Sequence, residues 1–388
     1  MVHVDDSFRD RRLFLKLISA AGASTVFPAC GREPSQESAF FKDTTAFIPR
    51  GSTNLEARLE NMGGFITPAE QFFVRNNDRS LDVDADAYRL VVEGDAVETP
   101  LALSMADLVK MPSHTVFSTL ECGGNQRSFF SSIVGQPARG TQWGRGAVGM
   151  AVWTGTPLRR VLLRAGMKES AKDVQLVGLD EGAPEAGFRR VMPVEKAMDA
   201  DTLLAYTMNG APLPKDHGYP LRALVPGWVG SSSIKWLGRI EVSSEKIWGR
   251  NNTTSYVLIG DDYAPEGEAR GRVATVQSIK SVLALPWPAV LKAGRQLIRG
   301  YAHSPHAPID CVWWSADDQR TWQRARIIDP VMRWAWARFE FEWQAAPGTH
   351  RLSTRAEDSG GHAQPDWIPH NEKGYLFNMP LPHPVTVR

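Results

Sequence analysis

Residues Thr115 to Ser128 read Thr-Val-Phe-Ser-Thr-Leu-Glu-Cys-Gly-Gly-Asn-Gln-Arg-Ser, and no other stretch limits the fold as tightly. Its β-branched and aromatic residues carry the chain as a strand to Cys122. Gly123 and Gly124 then remove side-chain bulk just beyond the sulfur, Asn125 tolerates unusual backbone angles, and Arg127 adds a fixed positive charge. A strand that ends in a thiol and continues as bare backbone presents that sulfur to something large. The nearby cation favours the thiolate, the form that binds soft metals. Taken alone, the same residues also describe a buried cysteine beside a glycine turn.

A second informative run lies about a hundred residues on. Leu203 to Met208 reads as a strand, and a Pro/Gly turn leads into Asp216-His-Gly-Tyr-Pro-Leu-Arg222 and then Ser231-Ser-Ser-Ile-Lys-Trp-Leu-Gly238. An imidazole and a guanidinium on one short segment can grip a phosphate without a P-loop, because Arg binds phosphate through two parallel donors and His donates or accepts by tautomer. Singly, His217 and Arg222 are equally ordinary turn and core-edge residues.

Together these two runs resemble the molybdenum domain of the sulfite oxidase family, which carries Cys-(Ala/Gly)-Gly-Asn-x-Arg-Ser after a Thr-Leu strand and a matching pterin-phosphate segment. The resemblance covers roughly residues 65 to 388. It implies that Cys122 ligates molybdenum and that His217, Arg222, Ser233 and Lys235 contact a molybdenum-molybdopterin cofactor. Phe72-Phe-Val-Arg-Asn76 matches a family segment and implies cofactor contacts from Phe72, Arg75 and Asn76; the chain departs from the pattern at Asn77, where the family has His. Asp180, at the end of a Gly-Leu-Asp strand, matches a residue near the pterin, although a turn Asp accounts for it as well. Trp143, in Gly140-Thr-Gln-Trp-Gly-Arg-Gly-Ala-Val-Gly149, matches the family's Trp beside the substrate pocket. Tyr256 takes the place of a substrate-touching tyrosine, with Tyr263 as competitor. Lys373, in His370-Asn-Glu-Lys-Gly-Tyr-Leu-Phe-Asn378, takes the basic position of a segment that reaches an anion pocket. Lysine is a point charge without the fork of arginine.

What the resemblance implies about activity is oxidation of sulfite to sulfate by oxygen-atom transfer, in a pocket of Arg75, Arg127 and Lys373, with Trp143 as wall and Tyr256 as hydrogen-bond donor. No haem-binding domain is expected ahead of the molybdenum domain, so electrons are expected to leave for an external acceptor, a c-type cytochrome. A homodimer is also implied. Three alternatives stand beside this: a sulfane sulfur dehydrogenase, a sulfoxide reductase, or a cofactor-free exported binding protein.

The remaining expectations come from composition and patterning. Lys and Arg number 44 and Asp and Glu 43, so no bulk charge is available to hold a nucleic acid. The three cysteines, Cys30, Cys122 and Cys311, show no CxxC or zinc spacing and no haem-attachment motif. Arg11-Arg12 with Phe14-Leu15-Lys16 and a short apolar run match a twin-arginine export signal, predicting a periplasmic protein with no transmembrane span. Cys30 is a candidate lipid anchor, against which Phe27 and Pro28 count. Helices are predicted after Ser104, capped with Asp107, and from Thr156-Pro157 to Gly166. Downstream, strands alone are legible: Ala335, Ala337, Phe339, Phe341 and Trp343 fall on one parity, and Arg338, Glu340 and Glu342 on the other. The expected fold class is α+β, with a twin-arginine signal and linker over 1–45, a molybdopterin domain over 46–265 and an immunoglobulin-like dimerisation sandwich over 266–388.

Overall fold

The computed structural model describes residues 38–388; the paired arginines and Cys30 lie outside them. The described residues are mostly β, which corrects the α+β expectation. Their longest α-helix, Leu158–Arg164, spans seven residues. Ser104 caps Met105–Lys110 through a reciprocal pair with Asp107, as the sequence predicts. Thr156 does not cap the next helix. It lies in the strand Val148–Pro157 and its hydroxyl donates to Leu108 O at 2.9 Å, because sheet pairing claims its backbone first.

Two sheets build the amino-terminal half. The first is antiparallel, in the order Ala211–Pro212, Leu203–Met208, Val148–Pro157, His114–Glu121, with Arg222–Leu224 also paired to Leu203–Met208. The second runs Leu101–Leu103, Leu90–Glu93, Leu237–Ser243, Asp173–Gly178, Arg189–Pro193, and joins Leu90–Glu93 to Leu237–Ser243 in parallel. Leu203–Met208 is buried along its whole length. Leu204 and Tyr206 enter the core shared with the second sheet, while Leu203, Ala205 and Met208 pack with Phe72, Trp143 and Trp153. A strand covered on both faces needs no polar alternation.

Two further sheets face each other across one core as a β-sandwich. One orders Lys280–Leu283, Gly294–His303, Ala337–Ala345, Arg326–Ile327; the other Ala289–Leu291, His383–Val387, Gly348–Asp358, Ile309–Ser315, Gln323–Arg324. Ile298, Phe339 and Phe341 meet Val312, Leu352, Ala356 and Val385 between them. Ala337, Phe339, Phe341 and Trp343 are all buried, so the parity read from the sequence holds. Glu340, on the other parity, is nevertheless covered, because Arg299 and Arg326 both pair with it.

The sandwich is tied to the end of the strand His114–Glu121 by a buried charge cluster. Glu121 Oε1 accepts from Lys280 Nζ at 2.6 Å and from Asn125 Nδ2 at 2.8 Å, and its Oε2 lies 3.5 Å from His303 Nε2. Lys280 and His303 face each other across neighbouring strands. The residue just before Cys122 is thereby fixed by the other half of the chain. Among the described residues, no helix is long and apolar enough to cross a membrane.

Candidate active site

Pairing of His114–Glu121 with Val148–Pro157 ends at Glu121 opposite Val148, and the Cys122 amide donates to Ala147 O at 2.9 Å. Asn125 is a clamp rather than the site of the unusual backbone angle. Its Oδ1 accepts from the Ala147 amide at 3.0 Å, and the positive φ of 70° falls on Gln126. The correction has a local reason: the Asn125 amide group is occupied on both sides, so the next residue absorbs the turn. Arg127 lies in a sleeve of bare backbone. A β-carbon on Gly124 would collide with its guanidinium, one on Gly140 would stand 3.0 Å from Nη1, and one on Gly374 2.7 Å from Cγ. Its Nε donates to Lys373 O at 2.5 Å and its Nη1 to Thr141 O at 2.7 Å.

Cys122 lines two adjoining cavities, which also share Arg75, Asn77, Phe188 and Tyr256. The first takes in Phe72, Asn76, Asp180, His217, Arg222, Ser233 and Lys235, so every residue read as a cofactor contact lines one space. Arg222 is buried and donates to His217 O at 3.1 Å and Ser233 O at 2.9 Å, which locks the turn to the following segment. Burial lowers its pKa to about 9. Lys235 Nζ donates to Asp216 O at 2.9 Å and to Asn76 Oδ1. Burial, then the charge of Arg222, drives Lys235 well below the ordinary lysine value. Crowded cations of this kind want an anion among them. Asp180 Oδ1 accepts from the Phe188 amide at 2.9 Å, and burial raises its pKa. Ser233 Oγ is taken by the Val225 amide at 3.0 Å, whereas the buried Ser231 Oγ in the same cavity has no partner among the described residues.

The second cavity brings together Arg75, Arg127, Trp143, Tyr256 and Lys373, and adds Arg139, Arg250 and Tyr375, which the sequence reading missed. Five cationic side chains line it and no carboxylate does. Desolvation opposes the charge on Arg75, but Tyr256, Cys122 and Tyr375 outweigh it and leave its pKa raised. Tyr256 stacks on Tyr375 at 5.5 Å, and Arg190 lies 5.0 Å over the Tyr256 ring. Burial raises Tyr375 to about 12. Tyr263 lines neither cavity; its hydroxyl donates to Pro369 O at 3.2 Å. Arg139 is a lone exposed loop residue and Arg250 an exposed residue that opens the short helix Arg250–Thr253, neither with a spacing signal, whereas Tyr375 lies two places beyond Lys373 in a segment already singled out.

Three buried histidines give a pH dependence. Desolvation depresses His217, His303 and His383, the last to about 3. An unfolded chain takes up those protons near pH ~6.5 while the folded one does not, so stability is full above that value and is lost as pH falls below it. The melting temperature of the cofactor-free chain, followed by circular dichroism, is expected to drop between about pH 7 and pH 5. A flat profile there contradicts the burial of these rings.

Residues 77–250 match the family described as the oxidoreductase molybdopterin binding domain. The chain is 36% identical over 320 residues to the sulfite oxidase of Gallus gallus, a match covering 78% of this chain and 69% of that protein. It is 35% identical over 340 residues to the mitochondrial sulfite oxidase of Mus musculus, covering 81% of this chain but only 60% of that relative's length. With the sulfite oxidase of Arabidopsis thaliana the identity is 30% over 334 residues, covering 79% of this chain and 84% of that protein. The solved structure of the sulfane dehydrogenase SoxCD from Paracoccus pantotrophus superposes with a TM-score of 0.76 at 29% identity, covering 88% of both chains. These matches imply a molybdenum-molybdopterin cofactor. The residues suit such a group: an orphaned Ser231 hydroxyl and a cluster of cations face one cavity, and a soft sulfur stands at its edge. By sequence and by architecture alike, the chain belongs to the sulfite oxidase family of molybdopterin-dependent oxidoreductases.

Proposed function

We propose that the protein oxidises sulfite to sulfate, water supplying the oxygen, with two protons released and two electrons passed to an external acceptor, a c-type cytochrome. The observation that carries this is the place of Cys122 at the common edge of two cavities, one lined by His217, Arg222 and Lys235 and the other by five cations. In this reading Cys122 Sγ ligates molybdenum, and Phe72, Asn76, Asp180, His217, Arg222, Ser231, Ser233 and Lys235 hold the pterin and its phosphate. When bound, the cofactor supplies the two-electron oxidation and the oxygen-atom transfer. The chain's own residues bind and orient the substrate. Arg75, Arg127 and Lys373 hold the dianion, Arg139 and Arg250 draw it to the mouth, Tyr256 donates a hydrogen bond, and Trp143 excludes water.

The direct test is sulfite-dependent cytochrome c reduction by purified protein of known molybdenum content. No turnover from fully loaded protein rejects the proposal. Arg75→Gln should lower kcat/KM by roughly 10²-fold, the scale of losing one preorganised charged donor. The residual activity should also depend less on ionic strength.

A second reading, oxidation of a sulfane sulfur, is favoured by the exposed Arg139 and Arg250, which extend the basic lining to the surface where a larger anionic substrate would sit. Thiosulfate in place of sulfite in the same assay separates these readings, and methionine sulfoxide, which takes up two electrons, is tested separately with a reduced dye as electron donor. We also propose the division at residues 45 and 265, the immunoglobulin-like kinship of the sandwich, a homodimer and twin-arginine export to the periplasm. Light scattering and cell fractionation read the last two, and a cytoplasmic monomer defeats both.

A further inference from the structure

Residues 38–43 pack onto the turn that carries His217. The Phe41 and Lys42 amides donate to the Asp216 carboxylate at 3.1 and 2.9 Å, and Ser80 Oγ donates to it at 2.6 Å. Lys42 Nζ then donates to Ala69 O at 2.7 Å, Phe72 O at 2.9 Å and His217 Nε2 at 2.8 Å. An ammonium has three N–H groups and no lone pair, so all its donors are used and His217 Nε2 must accept. The 3.3 Å contact of Nε2 with Ala69 O would need a proton on Nε2, and it is the longer of the two. Burial, followed by the charges of Lys42, Lys235 and Arg222, keeps the imidazole neutral, while burial lowers Lys42 only to about 8 and leaves it protonated at neutral pH. A neutral ring whose Nε2 accepts carries its proton on Nδ1. That nitrogen has no partner among the described residues, although His217 is buried and lines the first cavity.

We infer that Lys42 is a positioning residue of the cofactor cradle: the strap of residues 38–43 fixes His217 as the Nδ1–H tautomer, so the ring offers an anionic group a donor rather than a lone pair. The distinction matters chemically. A phosphate oxygen accepts hydrogen bonds, and an imidazole lone pair facing it would repel. The strap therefore decides whether His217 helps or opposes the anion that Arg222 and Lys235 attract. The inference rests on the cradle reading above, but its first test does not.

The first test is made on cofactor-free protein labelled with 15N-histidine, with the His217 signals assigned by their loss in His217→Gln. The unmodified chain should show the neutral Nδ1–H tautomer, and Lys42→Met should shift it toward Nε2–H, which Ala69 O is placed to accept. An Nε2-protonated or doubly protonated His217 in the unmodified chain overturns the inference, whether or not any variant folds. The second test follows pterin and molybdenum retained through gel filtration of the loaded protein. Lys42→Met should lose them about tenfold faster, the scale on which supporting hydrogen bonds act. Unchanged retention in Lys42→Met, with loss in His217→Gln, removes the strap's role and leaves the cradle standing. Unchanged retention in both removes the cradle itself.

Discussion

Cys122→Ser will abolish sulfite-dependent turnover while the chain still folds and still carries pterin. The sulfur is only half-buried at the edge of two cavities, and the residue is held by its backbone, whose amide donates to Ala147 O at 2.9 Å and whose carbonyl accepts from the Asn125 amide at 2.8 Å, so a hydroxyl leaves those bonds in place. What serine cannot supply is a soft anionic ligand at neutral pH. The loss should exceed the ~100-fold that follows removal of a supporting hydrogen bond around a metal. The decisive measurement pairs activity with molybdenum and pterin content. Dead protein with normal pterin supports the ligand role, and full activity per molybdenum would falsify it.

Lys280→Met is expected to be the most damaging change away from the cavities. It strands the Glu121 carboxylate in a site that leaves it about 3% exposed. Breaking a buried ion pair from one side costs about 3–5 kcal/mol, because the surviving charge keeps its desolvation penalty without its partner. His303 cannot take over, since burial already holds its ring below the ordinary histidine value. The effect should appear in denaturant unfolding and should be largely reversed by adding Glu121→Gln, which removes the stranded charge. A double variant no better than Lys280→Met alone would mean that the damage is lost packing. A neighbouring loss of molybdenum is expected too, because Glu121 precedes Cys122 directly.

How far the sequence could be read depended on the range of the interaction. The Cys122 and His217–Arg222 segments carry their motifs in contiguous residues and meet at one cavity, and the strand parity of 337–343 repeats at a fixed interval, so all three are legible. The Ser104 cap was legible because both partners lie within one turn. Thr156 showed the same local pattern and was overridden by a sheet neighbour nearly fifty residues distant in sequence, Leu204. Arg139, Arg250 and Lys42 leave no local trace. Each reaches its cavity or its turn through contacts that only the folded chain creates, and 175 positions separate Lys42 from His217.

Bare backbone at three glycines surrounds Arg127. Positions 124, 140 and 374 come from three separate segments, yet a methyl group on any of them would push against the same side chain. They therefore behave as one genetic locus scattered along the polypeptide. Once an alanine at 124 has evicted the guanidinium, crowding against it at 140 or 374 adds less than it would alone. A shorter residue at 127 would make alanine tolerable at 124, whereas Gly140 and Gly374 keep φ values of 117° and 57° that favour glycine, and a β-carbon at 374 still meets Ala138 Cβ at 2.6 Å.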